Sequence, residues 1–330
     1  AVCCLVFACS MMLAGTVQDR FGPRITAFIG GLLVGLGFLW ISQTTDYWGW
    51  IFGFGVLVGC GIAFGYSAAT PAALKWFPPS KTVKIAGIVV SGFGLASVYI
   101  APLATYLLAL WGLNDAMLAF GIGFFVLVGL LSFFLVTPPS GFIPRGFVDR
   151  RHPSTDNQGQ RDSFEDRAST PLQMLRTRTF WVTWLLYFIG AGAGLMVIGS
   201  IAGMAKSSLG EQAFLAVVIL AIGNAVGRIL AGIASDHYGR SSTLAVLFIF
   251  QAILMFTAAS VIGVESTSAL TLVLLTMFIG FNYGSNLALF PAITKDLWGI
   301  NHFGMNYGIL FTAWGIGGFV MSRTSEIIHV

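Results

Sequence analysis

Charge is what this sequence has least of. Asp, Glu, Lys and Arg make up 9% of its 330 residues, hydrophobic types 56%, and the mean hydropathy is +0.85. A water-soluble fold needs about a quarter of its residues charged, so the soluble classes are excluded. Acidic residues are absent from the middle of every long apolar run, which leaves no carboxylate-based proton relay in view. Cysteine is scarce as well: Cys3, Cys4, Cys9 and Cys60 sit inside apolar runs, without metal-site spacing to histidine, and read as packing residues. His152, His237, His302 and His329 fall in loops or at the chain end, so no nucleophile or metal constellation forms. That counts against an integral-membrane enzyme, and neither cofactor nor metal is expected.

What is there is apolar helix. Ten segments can span a bilayer, at roughly 1–17, 25–42, 48–74, 84–110, 116–136, 180–205, 211–233, 241–263, 268–293 and 304–322. Many of the 41 glycines fall in small-xxx-small pairs, such as Gly223 with Gly227 and Gly280 with Gly284, which permit close helix packing. None follows a soluble strand, so a nucleotide-binding role is not expected. Pro71 and Pro291 are expected to bend their helices.

The chain repeats itself. Gly15-Thr16-Val17-Gln18-Asp19-Arg20-Phe21-Gly22-Pro23-Arg24 is echoed by Gly232-Ile233-Ala234-Ser235-Asp236-His237-Tyr238-Gly239-Arg240, and Pro71-Ala72-Ala73-Leu74-Lys75 by Pro291-Ala292-Ile293-Thr294-Lys295. The echoes divide the chain into a first helical unit (1–136), a polar linker (137–179) and a second unit (180–330). Each unit carries five helices. The register predicts one further helix before the first and one after the last, six plus six in all. Every Lys and Arg except Lys206, Arg228 and Arg323 lies in one alternating set of loops. The positive-inside rule therefore expects the motif loops and the linker in the cytoplasm. The basic pI of about 9.0 is explained by topology, and nucleic-acid binding is not invoked.

The repeated motif needs its residue types for physical reasons. Gly22 with Pro23 enforces a tight turn, and Asp19 can pair with Arg20, Arg24 or a neighbouring helix terminus. Asp19, Arg20, Arg24, Asp236 and Arg240 are thus candidates for a gate that clasps adjacent helices in one conformation and releases them in another. The element resembles the signature loop of the major facilitator superfamily, in both halves. That resemblance implies an all-α membrane fold of two six-helix repeats, ten helices of which are visible here, working by alternating access.

Within that superfamily the chain resembles the oxalate:formate antiporter family. The residues are Asp19 to Arg24, Lys75-Trp76-Phe77-Pro78, Ala288-Leu289-Phe290-Pro291 with Asp296, and Asn306-Tyr307-Gly308. The resemblance implies a carrier of small carboxylates in the inner (plasma) membrane, with a site between the halves.

Arg228 is the only Lys or Arg well inside an apolar run, about 12 Å along its helix from Asp236. An intramembrane charge costs at least about 2.5 kcal/mol, so it usually faces a cavity and a partner. No carboxylate lies at its depth, and the substrate is a fitting counter-ion for its guanidinium fork. Alternatively, Arg228 snorkels to the surface or pairs with a helix outside this sequence. Asn224, one turn earlier on the same face, can orient Arg228, bond the anion or bridge helices.

The resemblance implies that an arginine matching Arg228 binds the substrate carboxylate. It also places Trp314 where oxalate carriers have a second cation, a lysine, which favours a monocarboxylate such as lactate, pyruvate or formate over oxalate. Phe93 is the repeat counterpart of Trp314, and both are expected to face the pseudo-symmetry axis. Tyr66, Tyr283 and Phe311 align with aromatic site residues of the family, and Leu287 replaces a site tyrosine. The expected partners are a small carboxylate, a proton or counter-transported anion, and the lipid bilayer, with the protein monomeric. From another class, a non-transporting membrane sensor on the same fold would bind anion without flux.

Overall fold

The computed structural model describes residues 2–77, 82–139, 142, 169–209, 213–261, 269–299 and 302–328. Among them there is no strand, and the chain is a bundle of long apolar helices. The first, α1 (Val2–Ile41), has 40 residues and would measure about 60 Å if straight, twice the hydrocarbon thickness of a bilayer. It is not straight. Gly22 takes φ 80° and ψ 177° inside it, a conformation glycine adopts without steric penalty. Its two ends converge on one neighbour, since a Cβ added at Gly53 would meet Ile41 and one added at Gly55 would meet Val2. Helix α1 is therefore a hairpin whose two arms turn at the motif.

The next crossing is continuous through α2 (Tyr47–Trp50), a π-helical segment (Ile51–Val58) and α3 (Gly59–Leu74). Asp46 caps its start, accepting from the backbone N–H groups of Trp48 and Gly49. A second hairpin, α4 (Thr82–Ser132), turns at Gly112, where φ is 76°. Trp76, just before α4, donates from Nε1 to the carbonyl of Val136, just after it, at 2.9 Å, so both ends of α4 lie at the same end of the bundle.

Most of the expected linker, residues 140–141 and 143–168, lies outside the described residues. Its end carries the short α5 (Pro171–Leu175), opened by a capping box between Thr170 and Gln173. Then come α6 (Arg178–Leu209), α7 (Ala213–Tyr238), α8 (Arg240–Val261), α9 (Ala269–Trp298) and α10 (Phe303–Ile328). Among the described residues seven helices are long and apolar enough to cross a membrane. Two of the seven are the hairpins, and α10, diluted by Asn306 and its glycines, is not among them. Counting each hairpin arm and adding α10, the described residues form ten helical segments, at the expected places in the sequence.

The exposed surface is apolar where a soluble protein would be polar. On α8, Val246, Ile249, Ile253 and Phe256 form a helical stripe pointing outward, Phe256 with 78% exposure, as lipid contact requires. Inside, α7 packs on α9, the first arm of α1 on α10, and α4 on α7. The α7–α9 contact is backbone to backbone: a Cβ on Gly227 would lie 2.0 Å from the carbonyl oxygen of Phe281, and one on Gly284 2.0 Å from that of Asn224. The central core is aromatic, built around Phe7, Tyr66, Tyr187, Phe290, Phe311 and Trp314.

Candidate functional site

The close α7–α9 contact presses Asn224 and Arg228 inward. Arg228 is 3% exposed. Its Nε donates to Asn224 Oδ1 at 2.8 Å, and its Nη1 donates to the carbonyl of Val90 on α4. Two neutral acceptors thus orient the guanidinium, and among the described residues no carboxylate pairs with it. Of the two alternatives, snorkelling is removed by this burial. A buried cation held only by neutral groups keeps most of its desolvation cost, and an anion is the natural complement.

The aromatic candidates pack on one another in a single cluster. Trp314 donates from Nε1 to the Tyr283 hydroxyl at 2.8 Å and stacks on Phe311 with ring centroids 4.9 Å apart. Tyr66 packs on Phe93 at 4.8 Å and on Phe311 at 5.8 Å. Phe93 and Trp314, repeat counterparts, differ in exposure, 39% against 6%: the first arm of α1 packs along the helix bearing Trp314, and Phe93 packs on Tyr66.

Sequence reasoning missed three aromatics of this cluster. Phe7 lies edge-on to Trp314 and Tyr66. Tyr187 stacks on Phe290 at 4.0 Å and shares a 3.5 Å hydroxyl contact with Tyr307. Two signals pointed to them: Phe7 is the repeat counterpart of Asn224, and Tyr307 belongs to the Asn306-Tyr307-Gly308 motif. Nothing comparable marked Tyr187.

Beside the cluster is a small cavity between the first arm of α1, α3, α4, α9 and α10. Of the expected substrate residues only Tyr66 is on its wall, together with Val90, whose carbonyl holds Arg228, and Leu287. Arg228, Asn224, Phe93, Tyr283, Phe311 and Trp314 are not on that wall.

The two motif loops are attached differently. The Asp19 carboxylate lies against the first turn of α10, where its Oδ2 would be 3.0 Å from a Cβ on Gly304, with Lys75 as a cationic neighbour. A carboxylate there complements the positive end of the helix dipole. Arg20 and Arg24 are exposed, and no ion pair joins them to Asp19 among the described residues, so of the partners expected for Asp19 the helix terminus is the one found. In the second loop, Arg240 bonds Asp236 Oδ1 and Asp296 Oδ2, each at 2.8 Å, and Ser235 Oγ at 2.7 Å. That clasp joins α7, α8 and α9.

Comparison with known proteins agrees with this architecture. Residues 1–322 match the family model of the Major Facilitator Superfamily. An uncharacterized MFS-type transporter of Escherichia coli K12 is 27% identical over 95% of this chain and 74% of its own length. The oxalate:formate antiporter of Oxalobacter formigenes is 25% identical over 91% of this chain and 67% of its own. The chain thus spans about two thirds to three quarters of these relatives. Among solved structures, the E. coli fucose:proton symporter superposes with a TM-score of 0.61 over 98% of this chain and 82% of its own, at 14% identity, a likeness of fold alone. A family match over nearly the whole sequence and the same helical fold lead to one conclusion: the chain belongs to the major facilitator superfamily of membrane transporters.

Proposed function

We propose that this transporter carries small organic anions with one carboxylate, such as lactate, pyruvate or formate, by alternating access. The observation that carries the proposal is Arg228, a buried cation oriented by neutral acceptors and without a carboxylate partner among the described residues. The substrate carboxylate completes its fork in bidentate fashion. Tyr66, Tyr283, Phe311, Trp314 and Phe93 enclose the remainder, and Asn224 holds the guanidinium in register. Trp314, an indole donor already engaged by Tyr283, supplies no second charge, so a dianion would keep one carboxylate desolvated and unpaired.

The moving units are residues 1–136 and 180–330, joined by 137–179, with the motif loops and linker in the cytoplasm. The Asp19 and Arg240 contacts bias the equilibrium between their conformations. Coupling runs through exchange of anions or through a proton carried with the substrate.

The test is uptake and counterflow by the full-length protein in proteoliposomes, with a panel of mono- and dicarboxylates. Monocarboxylate flux lost in folded Arg228→Gln supports the reading, and undiminished flux in that variant refutes it. Wild-type preference for oxalate over every monocarboxylate would replace it with oxalate:formate exchange. Anion binding with no flux would indicate a sensor.

A further inference from the structure

The cavity beside Arg228 holds chemistry that a carboxylate does not use. Three side-chain atoms of its wall residues are buried without a hydrogen-bond partner: Gln18 Oε1 on the first arm of α1, and Ser67 Oγ and Thr70 Oγ1 on α3. These residues are 3%, 7% and 8% exposed. Buried hydroxyls in helices ordinarily bond the carbonyl one turn back, as Thr276 and Thr294 do here, but Ser67 and Thr70 do not. Proline adds acceptors to the same wall. Pro71 has no N–H, so the carbonyl of Ser67 loses its helical donor, and Pro291 does the same to Leu287; both pairs line the cavity. Among the described residues the wall carries no Asp, Glu, Lys or Arg. Buried polar groups in native structures are nearly always satisfied, so three unpaired atoms around one cavity call for a ligand that bonds them.

We infer that this cavity is a neutral polar subsite that recognises a hydroxyl or carbonyl group on the carboxylate substrate, with Gln18, Ser67 and Thr70 as the selecting residues. The inference rests on the reading that Arg228 holds the carboxylate. Val90 makes the two places contiguous, since its carbonyl accepts from Arg228 while the residue lines the cavity. A substrate hydroxyl donates and accepts, matching side chains and carbonyls that offer both functions. A second carboxylate would find no cation there, and an unsubstituted alkyl chain would leave the polar atoms unpaired. The substrate class is thus a hydroxy- or oxo-monocarboxylate.

Lactate and propionate share a carbon skeleton and a carboxylate and differ by one hydroxyl, which makes them the probes. In proteoliposomes of the full-length protein, wild type should prefer lactate by about tenfold or more in half-saturating concentration, because a site built to bond a hydroxyl rejects the analogue without it. Ser67→Ala with Thr70→Val should bring the ratio to within about twofold, lactate weakening while propionate holds or gains because no polar atom is left unpaired beside its alkyl chain. If that pair fails to fold, Thr70→Val and Gln18→Leu, measured singly, should each lower the ratio in the same sense. Equal handling of lactate and propionate by wild type, with flux still dependent on Arg228, overturns the subsite and leaves the carboxylate reading standing. Equal weakening of both substrates in folded variants overturns it too, by assigning these residues a structural role. Transport of neither acid overturns the subsite, and transport of no monocarboxylate in the panel overturns both readings.

Discussion

The first arm of α1 and helix α7 end in the same motif, yet they do different work. Aligning Gly15 with Gly232 sets Met11 opposite Arg228 and Phe7 opposite Asn224. One helix thus brings bulk and an apolar wall to the centre, the other a cation and its orienting amide. Their loops diverge as well: Asp19 reaches the start of α10, at the far end of the sequence, while Asp236 is tied through Arg240 to α8 and α9 beside it. Identical local residues secure the same turn, with positive φ at Gly22 and Gly239, but the partner beyond the turn is set by whichever helix packs there. One loop joins distant segments, and the other fastens neighbours.

The largest expected effect breaks the asymmetry at its charged position. Arg228→Gln should lower carboxylate flux by about a hundredfold or more while the protein still inserts and folds, since a charge-assisted bidentate contact to a desolvated anion is worth several kcal/mol. Arg228→Lys should recover little, because an ammonium lacks the fork. Flux in proteoliposomes, beside thermal stability, checks both.

Packing should come next. A Cβ on Gly227 would lie 2.0 Å from the Phe281 carbonyl oxygen, whereas one on Gly15 would lie 2.9 Å from Gly304 backbone atoms. Gly227→Ala should therefore destabilise by about 1–3 kcal/mol, near the upper end of overpacking costs, and Gly15→Ala by less. Thermal unfolding in detergent ranks them, and the reverse order would show that the α1–α10 contact is the tighter one.

Selectivity gives a smaller shift. Trp314→Lys should move preference toward oxalate by about tenfold, a second cation now pairing the second carboxylate. Leu287, in place of a tyrosine, keeps the change incomplete. Counterflow of labelled lactate, pyruvate, formate and oxalate through both proteins reads the ratio.

The smallest effect sharpens the comparison of the loops. Asp19→Asn should slow transport a few-fold without weakening binding, since its helix-terminus contact is worth roughly 0.3–1 kcal/mol. Asp236→Asn should change the rate less, because Arg240 keeps Asp296 and Ser235. Equal slowing by both substitutions would mean that the loops share one role after all.

Much of this was open to reading along the chain. Hydrophobic runs of bilayer length dictate helices, because an apolar solvent leaves backbone groups no other partner. Gly22-Pro23 and Gly239 mark turns that only a few residue types adopt. Arg228 stood out because charge at that depth is costly wherever the helix packs. What no local pattern contained was who meets whom. The Val90 carbonyl on Arg228, the bond from Trp314 to Tyr283, the arrival of Tyr187 in the cluster and the unequal exposure of Phe93 and Trp314 all join residues far apart in the chain. The cavity wall is of the same kind, since Ser67 and Thr70 look like ordinary helix hydroxyls until the arms of α1 and α10 close around them. The sequence by itself determined the helices, their turns and the place of Arg228 within an apolar run, because these follow from solvation and backbone geometry one segment at a time. Only the tertiary structure decided their partners, because contact between distant segments depends on the packing of all the helices together.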